Sequence, residues 1–227
     1  MNFVTLTTTV VRQLARIPVT LAVGLLAVVI ANVTPADQFL QFDRAAIAAG
    51  EAWRLATGHF THWNAEHLQW DLLMFVVLGT LCEMRNPQRM RRCVVAAAGV
   101  VSMLVFCVFT DIDTYRGLSG IDTALFTLLA IELMRDARRQ RSGMLAIVTG
   151  ALLLGFVAKT AYEAVTGQAM FVNQQSAGFE LLVWDHIVAA VVGTLFALGV
   201  GVACNCKADQ TIHNPKVFVH EQGRGCG

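Results

Sequence analysis

The chain has 227 residues, 56% of them hydrophobic and only 15% charged, with a mean hydropathy of +0.57. A soluble domain carries about a quarter charged residues, and a formal net charge of +1 offers no basic surface for a polyanion. These values exclude a soluble globular enzyme, a disordered chain and a partner of nucleic acid. No Pro/Gly/Ser-rich linker divides the chain, so one membrane domain over 1–227 is expected.

Six apolar stretches follow one another at 17–33, 68–81, 93–110, 118–134, 144–158 and 181–204. Several are shorter than the ~20 residues that cross a bilayer, so their ends must draw on polar flanks. Open sheets cannot span lipid and no alternating barrel pattern is present, so the stretches are read as helices. The first, preceded by Arg12 and Arg16, is read as an uncleaved helix: five more follow, and the Ala-x-Ala cleavage pattern is missing. The expectation is an all-α membrane protein, a six-span bundle with its core at about 17–204 and a short cytoplasmic tail at 205–227.

Charge orients the bundle. With the N-terminus inside, 13 of the 17 basic residues lie on the cytoplasmic side, and the other four are Arg44, Arg54, Arg116 and Lys159. The bias predicts both termini inside and an even number of spans. Residues 34–66 then lie outside, and Trp53, Phe60 and Trp63 suit a loop lying in the interface. The six cysteines form no spaced framework. They read as membrane-buried or cytoplasmic thiols, and Cys204-x-Cys206, with Cys226 beyond, lacks further metal ligands.

Polar groups inside a bilayer are costly and are functional candidates by default. Under this topology His67 with Asp71, Ser119 with Asp122, and Asp185 with His186 fall near the outer ends of the second, fourth and sixth spans. Glu132, at the inner end of the fourth, reads as an interfacial charge. Ser119 sits in Gly117-Leu118-Ser119-Gly120, where a helix N-terminus supplies free N–H groups to a developing oxyanion. Taken alone, such a motif is weak evidence, because small residues are common in membrane helices and fit helix packing better. His186 has the chemistry of a general base, though a lone histidine can equally be a satisfied core residue. Ala189 and Gly193, at i+3 and i+7 from His186, make a narrow face on which the fourth span could pack, and Gly120 offers the same on the fourth. His67 and Asp71, at i and i+4, share one side of their helix.

The run Glu51-Ala-Trp53-Arg54-Leu-Ala-Thr57, then Phe60-Thr-His62, His67-x-x-x-Asp71, Leu78-Gly79 and Glu83, resembles the rhomboid intramembrane serine proteases. So do Gly117-Leu118-Ser119-Gly120 and His186-x-x-Ala189-x-x-x-Gly193, in the family's order. The resemblance implies a dyad of Ser119 as nucleophile and His186 as base, with no cofactor and no metal. It places His67 and Asp71 beside the Ser119 N–H as the oxyanion hole, with Gly117 adjoining, and makes the Trp53-Arg54 loop a structural element of the outer leaflet. Two positions depart from the pattern: the family usually has asparagine at Asp71 and commonly glycine at Ala189. A neutral Asp71 could donate to the oxyanion as an asparagine amide does. An ionised one would instead pair with His67 or with protonated His186.

Within the family, the short termini and Leu68-Gln69-Trp70-Asp71 look most like the rhombosortase branch. That likeness implies a bacterial inner membrane and transmembrane substrates cut near a C-terminal Gly-Gly sorting helix. The runner-up is an inactive rhomboid-like protein that binds transmembrane segments without cutting them. A zinc protease lacks its H-E-x-x-H pair, although His59, His62 and His67 could be weighed as ligands. A two-aspartate protease lacks its motifs around Asp71, Asp122 and Asp185, and a transporter would show paired halves.

Overall fold

A computed structural model describes residues 14, 16–33, 35–170, 172 and 183–199. Arg12, Cys204, Cys206, Cys226, Lys207, Lys216, Arg224, the tail 205–227 and the last residues of the sixth apolar stretch lie outside the described residues.

Among the described residues, six long helices lie on the six apolar stretches: α1 (Pro18–Asn32), α2 (Ala65–Arg85), α3 (Pro87–Cys107), α4 (Ser119–Gln140), α5 (Gly143–Thr166) and α6 (Val183–Leu198). Most run past the apolar limits into polar residues, because side-chain caps set the ends rather than hydropathy. Asn64 accepts from the His67 N–H, Asn86 from Arg89 and Ser142 from Leu145, each satisfying a donor of a first turn. Pro87 and Pro18 sit at first helical positions, where no N–H is needed. The start of α1 is capped from another helix. The buried Glu83 carboxylate of α2 accepts from the Val19 N–H (3.0 Å), the Thr20 N–H (2.9 Å) and the Thr20 hydroxyl (2.8 Å).

Helix α4 is the axis of the molecule. It packs on α2, α3, α5 and α6, and an unbroken run from Gly120 to Leu125 is buried, as expected of a helix covered on all sides. Its tightest partner is α6. A Cβ on Gly193 would lie 2.0 Å from the Ala124 carbonyl oxygen and 2.2 Å from Thr127 Oγ1, so the two backbones touch. Ala189 is fully buried on the same face. Gly120 meets α3 closely, its added Cβ falling 3.2 Å from Val101 Cγ2.

Helix α5 is the opposite case. Only Thr149 and Glu163 are buried along its 24 residues, while Met144, Ile147, Leu154 and Val165 are largely exposed. An apolar helix with an apolar exterior is what lipid solvates. By length and composition α3 and α5 are apolar enough to cross a membrane, whereas α1 and α6 are shorter apolar helices.

The segment between α1 and α2 folds into short helices at Ala36–Leu40, Arg44–Ala48 and Arg54–Thr57, and a two-residue strand β1 (Phe42–Asp43) pairs antiparallel with β2 (Thr114–Tyr115). The Arg44 guanidinium reaches the last carbonyls of α3, Val105 and Phe106, both at 2.6 Å. The loop is thereby fastened to the end of the bundle that carries the first turns of α2, α4 and α6.

Candidate active site

Those first turns surround one cavity of about 680 Å³, lined by His67 and Asp71 from α2, Ser119 and Asp122 from α4, and Asp185 and His186 from α6. The polar pairs seen in the sequence at three separate places thus meet at one site. Glu132 stands apart: it accepts from Arg85 (3.0 Å) and Arg89 (2.6 Å), joining α4 to α2 and α3.

Ser119 is the first residue of α4. The turn ahead of it depends on Gly117, whose φ of +121° is open to glycine and strained for other residues. A Cβ there would also fall 2.9 Å from His67 Cε1 and 3.0 Å from Asp71 Oδ2. The turn is held by Asp71, whose Oδ2 accepts from the Leu118 N–H at 2.8 Å. His62 Nε2 and His67 Nε2 approach the same oxygen at 3.3 and 3.2 Å. The sequence leaves Asp71 as either a neutral donor to an oxyanion or an ionised partner of His67 or His186, and the 3.2 Å approach of His67 matches the second. An N–H can only donate, so in this structure Oδ2 is an acceptor that fixes the loop entering α4.

His186 is buried in the first turn of α6. Its Nε2 lies 3.6 Å from Asp185 Oδ1 and its Nδ1 3.7 Å from Glu163 Oε2 on α5. Asp185 is held through its other oxygen by the Tyr115 hydroxyl at 3.1 Å. Burial first, then the neighbouring Asp185 charge, pushes the Tyr115 phenol well above its ordinary pKa, while the Ser119 hydroxyl pulls slightly the other way. Tyr115 therefore stays protonated and remains a donor. Its ring meets His59 edge-on at 5.7 Å. His59 turns away from the cavity to Ser102 Oγ (2.9 Å) and the Ala98 carbonyl (3.0 Å) on α3, and burial lowers its pKa. Ser119 and His186 share the cavity without a hydrogen bond between them; catalytic pairs are commonly loose without substrate and tighten when it binds.

The family model of the rhomboid domain matches residues 49–202, a span that holds every one of these side chains. The chain belongs to the rhomboid family. Rhomboids are a family of intramembrane serine proteases, so this is a membrane protein of a serine protease family. A comparison with curated proteins finds no match.

Three residues of this rhomboid site escape a reading of the sequence as site residues. Tyr115 lies in a polar loop without a motif. Glu163 and Lys159 fall just beyond the fifth apolar stretch, which ends on hydropathy at residue 158, while the helix continues to Thr166. Their i, i+4 spacing on a membrane helix was the available signal.

Proposed function

We propose that the chain is an intramembrane serine protease in which Ser119 attacks the scissile peptide bond and His186 takes its proton. The observation that carries this reading is the single cavity shared by Ser119, at the N-terminus of α4, and His186, in the first turn of α6. As the Oγ–C bond forms, the proton passes to His186 Nε2, and the oxyanion develops beside the free N–H groups of the α4 first turn. His67, Asp71 and Gly117 border that position and shape it. Collapse expels the amine with the proton held by His186, and a water repeats the sequence on the acyl-enzyme. No cofactor enters this scheme.

The reading extends to a single polytopic domain of six spans with both termini cytoplasmic, lodged in a bacterial inner membrane. Its substrates are transmembrane proteins cut near the outer surface. The rhombosortase-like stretch at Leu68–Asp71 narrows them to chains with small residues, Gly-Gly in particular, outside a C-terminal helix. Small residues keep a strand extended and let it enter a recessed site. Asp71, standing where the family usually has asparagine, favours the second reading, an inactive rhomboid-like protein that binds transmembrane segments.

A fluorophosphonate probe separates the two, since it labels only an activated serine. Labelling is expected in the unaltered protein and lost in both Ser119→Ala and His186→Ala, with the double variant no worse than either, because the pair acts as a unit. Mass spectrometry of membrane and secreted proteins, with and without the chain, should reveal new C-termini after small residues. Normal processing by Ser119→Ala would refute the dyad.

A further inference from the structure

Glu163 projects from α5, the helix that contributes least to the core, yet its side chain is only 2% exposed. Helix α5 ends at Gly167, in the left-handed conformation at φ +66°, and the chain folds back so that the Met170 N–H donates to Glu163 Oε1 at 3.1 Å. That bond orients the carboxylate. The remaining oxygen, Oε2, lies 2.7 Å from Lys159 Nζ and 3.7 Å from His186 Nδ1. His186 Nδ1 is buried without a hydrogen-bond partner among the described residues, and Glu163 Oε2 is met only from the Lys159 side. Buried polar atoms are seldom left so, and a shift of under an ångström would join them.

We propose that Glu163 is a positioning residue for His186. It accepts the Nδ1 proton, fixes the tautomer with Nε2 turned to Ser119, and stabilises the imidazolium formed when Ser119 gives up its proton. The two ring nitrogens decide this assignment. A base that uses Nε2 toward the serine presents Nδ1–H to an orienting carboxylate, and Glu163 is the described carboxylate paired with Nδ1. Asp185 turns its Oδ1 to Nε2 and not to Nδ1, while its Oδ2 accepts from Tyr115. The other ionisable groups around the cavity are Asp122 on α4 and Asp71 with His67 on α2. Lys159 keeps Glu163 charged by pairing with the same oxygen. The assignment rests on the dyad reading and deepens it: the base of this site is held from α5, so the site is complete only while α5 is seated against α4 and α6.

The test is the rate of fluorophosphonate labelling against pH in the purified full chain. In this reaction the Ser119 Oγ–P bond forms, fluoride leaves and the Oγ proton passes to His186. Glu163→Gln keeps the shape and removes the charge. It should lower the plateau rate roughly tenfold or more, short of the ~10⁴ lost from a fully bonded triad. It should also move the acid limb of the profile to lower pH, because an imidazolium without its anion forms less readily. Lys159→Met, which breaks the same ion pair from its other end, should move that limb in the opposite direction. If the pair merely braces α5, both variants lose rate alike with the limb unmoved, and the proposal is overturned; a Glu163→Gln profile that matches the unaltered chain overturns it too. Absence of labelling in the unaltered chain removes the dyad first, and the role of Glu163 with it.

Discussion

At the scale of single residues, the departure at Asp71 has a structural consequence. One carboxylate oxygen collects the Leu118 N–H and lies within 3.3 Å of two imidazoles, so this side chain ties α2 to the turn that presents Ser119. An asparagine carbonyl can accept from the same N–H, and its amide can still donate. Asp71→Asn should therefore keep most of the probe labelling, whereas Asp71→Ala frees a buried backbone donor and should lose about a hundredfold, the scale of one lost oxyanion-hole contact. Labelling rates of the two variants across pH decide between the roles: if asparagine falls as far as alanine, the charge matters and the hydrogen bond does not.

At the scale of elements, the proposed dyad depends on one helix contact. Ser119 belongs to α4 and His186 to α6, and Gly193 lets those helices touch. The clash awaiting a Cβ there is with a backbone carbonyl, which cannot rotate away as a flexible side chain could. Gly193→Ala should force the helices apart, costing about 1–3 kcal/mol as overpacking does, and should abolish labelling by separating the dyad. Gly150→Ala on α5 is the control, since nothing lies within 4 Å of its added Cβ, and alanine favours the helix by up to about 1 kcal/mol. Thermal unfolding in detergent, read beside labelling, distinguishes lost fold from lost alignment. Equal stability of the two variants would remove Gly193 as the determinant of the α4–α6 contact.

At the scale of the whole molecule, the two ends of the bundle differ in what their charges do. All four basic residues assigned outside have partners. Arg44 binds carbonyls at the end of α3, Arg54 binds Glu51 and the carbonyls of Gln38 and Gln41, Arg116 binds Asp37, Gln41 and the His62 carbonyl, and Lys159 pairs with Glu163. The three arginines brace the loops over the site and Lys159 serves a pair within α5, which explains why they depart from the charge bias. At the other end, Arg85 and Arg89 pair with Glu132 and Arg135 binds the Ala197 carbonyl, but Arg91 and Arg92 are exposed. A cysteine-free chain carrying Asp111→Cys should react with an impermeant maleimide from the non-cytoplasmic side, and one carrying Arg91→Cys only after the membrane is opened. The reverse pattern would invert the bundle and place the site on the cytoplasmic face.

The sequence by itself determined the helical class, the order of the long helices among the described residues, and the polar pairs at His67, Ser119 and His186 that line the cavity. Each of these is encoded locally, in apolar run length, in a helix-start glycine and serine, or in i, i+4 spacing. Its weakness lay at boundaries: hydropathy ends the fifth stretch at residue 158, but a helix stops where its terminal N–H and C=O groups find caps, here at Gly167. Only the tertiary structure decided that Asp71 accepts from Leu118, that Tyr115 holds Asp185, and that Glu163 faces His186 from a helix with almost no core of its own. These contacts join residues 23 to 70 positions apart. Their existence depends on how closely α4 and α6 approach and where α5 comes to lie, and no periodicity in the chain encodes a distance between helices.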